Sequence, residues 1–379
     1  MCAALFALNS CTNEINEEDF LDKSNTISFN SYTSKTRAAV GADVTTDNMT
    51  RDNFGVAGYT DNNSIYLYKK DNTGNKGVEQ TWKGSSWEYA NLGDLKYWPN
   101  SSMDFYAYFP YSDNATFAGS DATGDVMTIA GTTCAHDVLF AKATTAKVTR
   151  VPLVFHHAFS KIKKLQIEMP SDGNLFQSKC QVTVQKVEFI NTSTSGDIKV
   201  DNTGTASYTI TDPNVTFKED LTSSPVTINS TDNSKALIDN GENAKGYLFA
   251  TSSSLDATNN VKGTGKTLWD GNKATLSSGK LSEKDFVCLK LTCKVWNGAD
   301  DNKYYYVGND DTYGEIYIPI STSTDPNSTA LLAGKRYTYN IIMKDNVGFT
   351  NEGDPILTPI LFEVSSVDGW EDVTVTITL

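Results

Sequence analysis

The chain has 379 residues, a formal net charge of −14 and 39% hydrophobic residues. That length exceeds the roughly 250–300 residues at which a single core stops growing, which predicts two domains. The acidity excludes nucleic acid as a ligand, because phosphate binding needs clustered Lys and Arg to displace counterions. A composition rich in Thr, Ser, Asn, Asp, Gly and Tyr, and poor in the usual helix formers, predicts an all-β chain.

Residues 1–11 read as a signal-peptide remnant. An apolar run from Ala3 to Leu8 precedes Asn9-Ser10-Cys11, which resembles a bacterial lipobox and predicts lipidation at Cys11. The acidic stretch that follows, with Glu14, Glu17, Glu18 and Asp19, suits a solvated tether. No other run approaches the about 20 apolar residues of a membrane helix, so the lipid is the expected membrane attachment.

Thr26 to Tyr32 is the first expected strand. Ile27 and Phe29 fall on one face, Ser28 and Asn30 on the other. It leads into the small-residue segment Ser34-Lys35-Thr36-Arg37-Ala38-Ala39, which suits an exposed loop. Residues 12–37 are therefore taken as an acidic linker and an N-terminal strand.

From Phe54 to Leu165 strand signals alternate with turn clusters. The clearest are Asp104–Tyr108, Asp137–Ala141 and one long run, Val151–Ile167. Pro170-Ser171-Asp172-Gly173-Asn174 then breaks the pattern, which predicts one β-sandwich over residues 38–170 and a second over 171–379. In the second half Val182–Ile190, Gly246–Ala250, Phe286–Trp296, Tyr304–Val307, Glu315–Ile320, Arg336–Met343 and Ile360–Val364 read as strands. Val287, Leu289, Leu291, Cys293 and Val295 share an apolar face, while Lys290, Thr292 and Lys294 face outward. The final segment, Asp372–Leu379, alternates most strictly.

Catalytic constellations are absent from the sequence: H-E-x-x-H, G-x-S-x-G and C-x-x-C do not occur. Adjacent His156 and His157 point to opposite faces of a strand and cannot share a metal. Gly263-Thr264-Gly265-Lys266-Thr267 imitates the end of a phosphate loop, but Asn260 stands where a glycine is needed and no helix pattern follows. Asp300-Asp301-Asn302 and Asn309-Asp310-Asp311 lack calcium-loop spacing and read as turns. Cys134, Cys180, Cys288 and Cys293 show no metal spacing; Cys288 and Cys293, five apart on one strand, lie on opposite faces, so free thiols are expected. No cofactor or metal is expected, and the chain reads as no enzyme. The aromatics from Trp82 to Tyr111 are expected in a core. A rival reading puts them on an open face that stacks on sugars, which would make this a surface glycan-binding lipoprotein.

Several segments in order resemble the fimbrillin family of Bacteroidales surface pili, including its fimbrillin-like lipoproteins: Phe54-Gly55-Val56-Ala57-Gly58-Tyr59; Tyr97-Trp98-Pro99 followed by Phe105-Tyr106-Ala107-Tyr108-Phe109-Pro110-Tyr111; Asp137-Val138-Leu139-Phe140-Ala141; Val151 through Ile162; Ala333-Gly334-Lys335-Arg336-Tyr337-Thr338-Tyr339-Asn340-Ile341; and Phe362-Glu363-Val364 through Gly369-Trp370. The resemblance implies two transthyretin-like β-sandwiches in an outer-membrane lipoprotein precursor of a type V pilus. It implies an arginine-specific maturation protease that frees an N-terminal strand, leaving a groove for a neighbouring subunit's C-terminal strand. Carried onto this chain, the scissile bond is Arg37–Ala38, with Arg51 as runner-up and Lys35 a weaker site. The removable strand carries Ile27 and Phe29, and the donor inserts Val373, Val375, Ile377 and Leu379. Partners are then other fimbrial subunits, with the host or bacterial receptor open. Burying four such aliphatic side chains at about 1.5–3 kcal/mol each supplies roughly 6–12 kcal/mol before ordering costs.

Overall fold

The computed structural model of the chain describes residues 25–33, 49–169, 180–190, 192–210, 217–241, 245–249, 288–298, 303–319, 331–343, 364–365 and 371–378. The regular secondary structure of the described residues is strand throughout, as the composition predicts, apart from two short 3₁₀ turns at Met49–Arg51 and Leu92–Asp94.

The first sheet runs in the order Phe29–Thr33, Val151–His157, Leu139–Thr145, Met103–Phe109, Phe54–Thr60, Val78–Trp82, Trp87–Tyr89, with Ile65–Leu67 pairing beside Phe54–Thr60. Its two faces feed two different cores. Within Met103–Phe109, Phe105, Ala107 and Phe109 join one apolar cluster with Phe29, Phe54, Trp87 and Phe155. The alternate residues Tyr106 and Tyr108 join a second with Phe117, Met127, Ile198 and Phe249. A strand buried on both faces reads as a near-continuous hydrophobic run, and Phe-Tyr-Ala-Tyr-Phe is such a run with its large rings shared between the two cores. The crowding also explains Gly55: a Cβ there would lie 2.3 Å from the Tyr108 ring.

The second sheet covers the outer face of the first. Its order is Ala206–Ile210, Ser195–Asp201, Asp125–Thr133, Ala115–Phe117, Gly74–Lys76, Lys69–Asp71. The third sheet runs Ser234–Asp239, Phe159–Glu168, Lys335–Ile342, Glu371–Thr378, Val364–Ser365, with Tyr247–Phe249 alongside Phe159–Glu168. The fourth runs Phe217–Asp220, Cys180–Ile190, Cys288–Asn297, Tyr304–Val307, with Val226–Ile228 and Gly314–Pro319 paired off its path. Third and fourth sheets enclose the remaining apolar cluster, which includes Ile162, Val184, Phe189, Tyr339 and Ile341. The alternation expected near Phe286–Trp296 is present: Leu289, Leu291, Cys293 and Val295 are all buried. Cys293 is a buried free thiol, and burial raises it to about 12.

The sheets do not divide at residue 170, where the expected domain boundary lies. Phe159–Glu168, before it, belongs to the third sheet; Ser195–Asp201 and Ala206–Ile210, after it, complete the second. The turn cluster at 170–174 is a local signal, whereas sheet membership is set by distant partners. The long run Val151–Ile167 likewise splits. At Ala158 it passes from the first sheet to the third, and Ala158 N–H donates to the Val138 carbonyl at 2.8 Å.

At that crossing His157 and Asp137 are both buried, with Nδ1 and Oδ2 2.7 Å apart, while His156 faces outward. Removing one member of a buried, hydrogen-bonded pair leaves its partner poorly solvated. We expect Asp137→Ala to lower unfolding free energy by about 3–5 kcal/mol in urea denaturation. His156→Ala is expected to change it by no more than about 0.5 kcal/mol.

Candidate strand-docking site

The N-terminal segment is bound from three sides. Thr26 forms an antiparallel bridge with Tyr97. Around it Ile27 N–H donates to the Lys96 carbonyl and Trp98 N–H to that of Asn25, each at 3.0 Å. The chain then crosses over, and Phe29–Thr33 pairs in parallel with Val151–His157, Phe29 opposite Val151 and Thr33 opposite Phe155. Val151 N–H donates to the Ser28 carbonyl at 2.7 Å, and the Ser28 hydroxyl donates to the Thr149 carbonyl at 2.6 Å. Lys147 donates to the Asn25 side chain.

For most of its length Val151–His157 has no other ladder partner among the described residues. Its opposite neighbour, Leu139–Thr145, pairs only at His157 and His156. Pro152, which has no N–H to offer, is tolerated because of that open side. Without Phe29–Thr33, residues Val151–Phe155 would be an unpaired edge, the kind of surface that templates pairing with another chain.

Side chains hold the segment as firmly as the backbone does. Ile27 and Phe29 are fully buried, as the alternation predicts. Phe29 meets Phe54 and Phe105 edge-on at centroid distances of 6.1 and 5.6 Å. Phe54 in turn packs on Trp87 at 4.8 Å and on Phe155 at 5.6 Å. The first sheet therefore curls until its first strand meets its last. Trp87, from the final strand Trp87–Tyr89, donates its indole N–H to the Ser31 hydroxyl at 2.7 Å across the meeting line. Beside this contact lies a cavity of about 240 Å³ lined by Ile27, Trp87, Tyr89, Leu92, Leu95 and Arg150, among others.

Of the residues singled out from sequence, Ile27 and Phe29 come together in this core. Cys11, Lys35, Arg37, Ala38 and Leu379 lie outside the described residues, as do Gly263–Thr267 and Asp300–Asn302. Arg51 is exposed at the end of the Met49–Arg51 turn, whose Met49 is buried in the same cluster. Val373, Val375 and Ile377 belong to the strand Glu371–Thr378, which pairs in parallel with Lys335–Ile342; they stand opposite Tyr337, Tyr339 and Ile341. Asn309 acts as a turn residue, its side-chain oxygen accepting from Asp311 and Thr312 N–H.

Most of the aromatic segment is interior, as expected of core: Trp87, Tyr89, Trp98, Phe105, Tyr106, Tyr108 and Phe109 are buried, and Tyr97 is the large exposed exception at 39%. The open stacking face that a glycan-binding role requires is not formed by these residues. Ser31 and Trp87 were not legible as a pair. Their one sequence signal is that Ser31 continues the inward phase of Ile27 and Phe29, which gives a polar residue where the period calls for an apolar one.

A profile of the fimbrillin-like family matches residues 36–355. Among solved structures, the chain is similar to a fimbrial protein from Bacteroides vulgatus, with 16% identity, 85% of this chain and 96% of that one covered, and a TM-score of 0.51. A candidate cell adhesion protein from Parabacteroides distasonis matches over 93% of this chain and 98% of its own, at 11% identity and a TM-score of 0.48. The fimbrial anchor protein Mfa2 from Porphyromonas gingivalis aligns over 70% of this chain and 78% of its own, at 6% identity and a TM-score of 0.30. No curated protein matches the sequence. The family profile spans most of the chain, and the protein belongs to the fimbrillin-like family.

Proposed function

We propose that this protein is a structural subunit of a surface fimbrium, in which the segment Asn25–Thr33 is a temporary stave of the first sheet. The observation that carries this reading is the parallel docking of Phe29–Thr33 on a strand that has little other ladder partner. Such a segment can leave without dismantling the remaining strands, and its departure opens both a hydrogen-bonding edge and an apolar trough.

The precursor is exported, lipidated at Cys11 and held at the outer membrane by that lipid. An arginine-specific protease cuts Arg37–Ala38. Before the cut, any departure of Phe29–Thr33 is countered by re-docking at the high local concentration that a covalent tether imposes. After it, the segment dissociates as a free peptide and a neighbouring subunit's strand can replace it. Arg51 is the less suitable site: it closes a 3₁₀ turn anchored by buried Met49, and proteases read extended backbone. The chain's own donor is the C-terminal segment with Val373, Val375, Ile377 and Leu379 as inserting side chains, and its strand Glu371–Thr378 must first separate from Lys335–Ile342. Filament assembly of this kind supports adhesion, and its partners are other fimbrial subunits.

Treating the full chain with an arginine-specific protease is expected to yield a new N-terminus at Ala38 and, with partner subunits present, ladders that survive mild detergent. Arg37→Ala should leave monomers only. Ladders formed equally well by Arg37→Ala, or cleavage at Arg37 that leaves the stave bound and never permits assembly, would contradict the proposal. Phe29→Ala empties the centre of the stave's seat and should cost about 3–5 kcal/mol by urea denaturation of the uncut chain. The same change is expected to speed stave release after the cut.

A further inference from the structure

The seat of the stave has a polar requirement in an otherwise apolar trough, and that requirement reads as a specificity rule. Along the inward phase of the N-terminal segment the residues are Ile27, Phe29 and Ser31: aliphatic, aromatic, hydroxyl. Ile27 and Phe29 fill the core, and Ser31 accepts the indole N–H of Trp87, a side chain only 3% exposed. An indole nitrogen donates and never accepts, so a buried Trp87 needs an acceptor from whichever strand lies over it. An occupant that is aliphatic at this point buries the donor unmet.

The chain's own C-terminal strand does not meet that rule in either phase. One phase presents Val373, Val375, Ile377 and Leu379, which offers no acceptor for Trp87. The other presents Thr374, Thr376 and Thr378, which offers hydroxyls but nothing of the size of Phe29, the ring that packs on both Phe54 and Phe105. The cavity beside Ile27 adds a second condition, since about 240 Å³ leaves room for a larger apolar side chain at that register.

Building on the strand-exchange reading, we infer that the seat vacated by Asn25–Thr33 selects a strand of the pattern aliphatic–x–aromatic–x–hydroxyl, running parallel to Val151–His157, and that it is supplied by a different subunit rather than by a second copy of this chain. Trp87 is the residue that sets the choice. The protein then occupies a defined place in a mixed filament, because its acceptor and its donor ends do not match each other.

The test uses the full chain, cut by an arginine-specific protease, and three labelled peptides: residues 26–33, the same peptide with Ser31→Val, and residues 372–379. The 26–33 peptide should be retained. The Ser31→Val peptide should bind about tenfold more weakly or worse, the scale set by one orphaned buried donor, and the 372–379 peptide should be weaker still. In Trp87→Phe protein the gap between the first two peptides should close. Equal retention of both by the unaltered protein, as when water in the adjoining cavity stands in for the hydroxyl, overturns the inference while leaving strand exchange intact. If no peptide replaces the stave even after proven cleavage, the strand-exchange reading falls and takes the inference with it. A second measurement needs no exchange at all. In the uncut chain Ser31→Val should lower the urea midpoint when Trp87 is present and have little effect in Trp87→Phe; identical shifts in both backgrounds overturn the Trp87–Ser31 coupling.

Discussion

A sheet that curls on itself must settle two edges, and here both are settled by one short segment. Phe29–Thr33 forms the ladder with Val151–His157 on one side and reaches Trp87 of the last strand on the other. Within Phe29–Thr33 the ladder lies on the first edge alone, and the backbone bonds to Lys96 and Trp98 come from the residues before it. At the second, closure rests on an indole–hydroxyl bond, an aromatic lattice and a cavity where a further ladder would otherwise be. The rest of the N-terminal half follows from this arrangement: a curled sheet with a core inside it, and a second sheet laid over its outer face.

The two edges have different physical characters. Ladder bonds are indifferent to side chains and would accept any extended strand, so they supply affinity without much discrimination. The trough beyond them is particular, because ring-on-ring packing about Phe54 and a buried N–H penalise wrong shapes and wrong polarity. Backbone pairing and side-chain discrimination are therefore separated onto opposite sides of the same segment.

The halves of the molecule are joined by strands that belong to the opposite half from their place in the chain. Phe159–Glu168 enters the third sheet straight from the first, while Ser195–Asp201 returns to the second. The crossing point is covered by apolar side chains, with Phe159, Tyr247 and Phe249 in contact, and holds the buried His157–Asp137 pair. Residues 170–174 look like a boundary because turn chemistry is local and strong. Which sheet a strand enters depends on partners more than a hundred residues away, such as Arg336 opposite Lys161, and alternation says nothing about them.

By itself the sequence determined the all-β class, long strands such as those within Val151–Ile167, Val182–Ile190 and Arg336–Met343, and the inward faces of Ile27, Phe29 and Leu289 to Val295, because period-two burial is written residue by residue. The aromatic segment Trp82–Tyr111 was likewise legible as core. Tertiary structure alone decided that Met103–Phe109 is buried on both faces, that one long apolar run serves two sheets, and that Ser31 meets Trp87. Each of these depends on what lies opposite a strand, and a one-dimensional pattern records which side of a strand is apolar but not which neighbour that side will face.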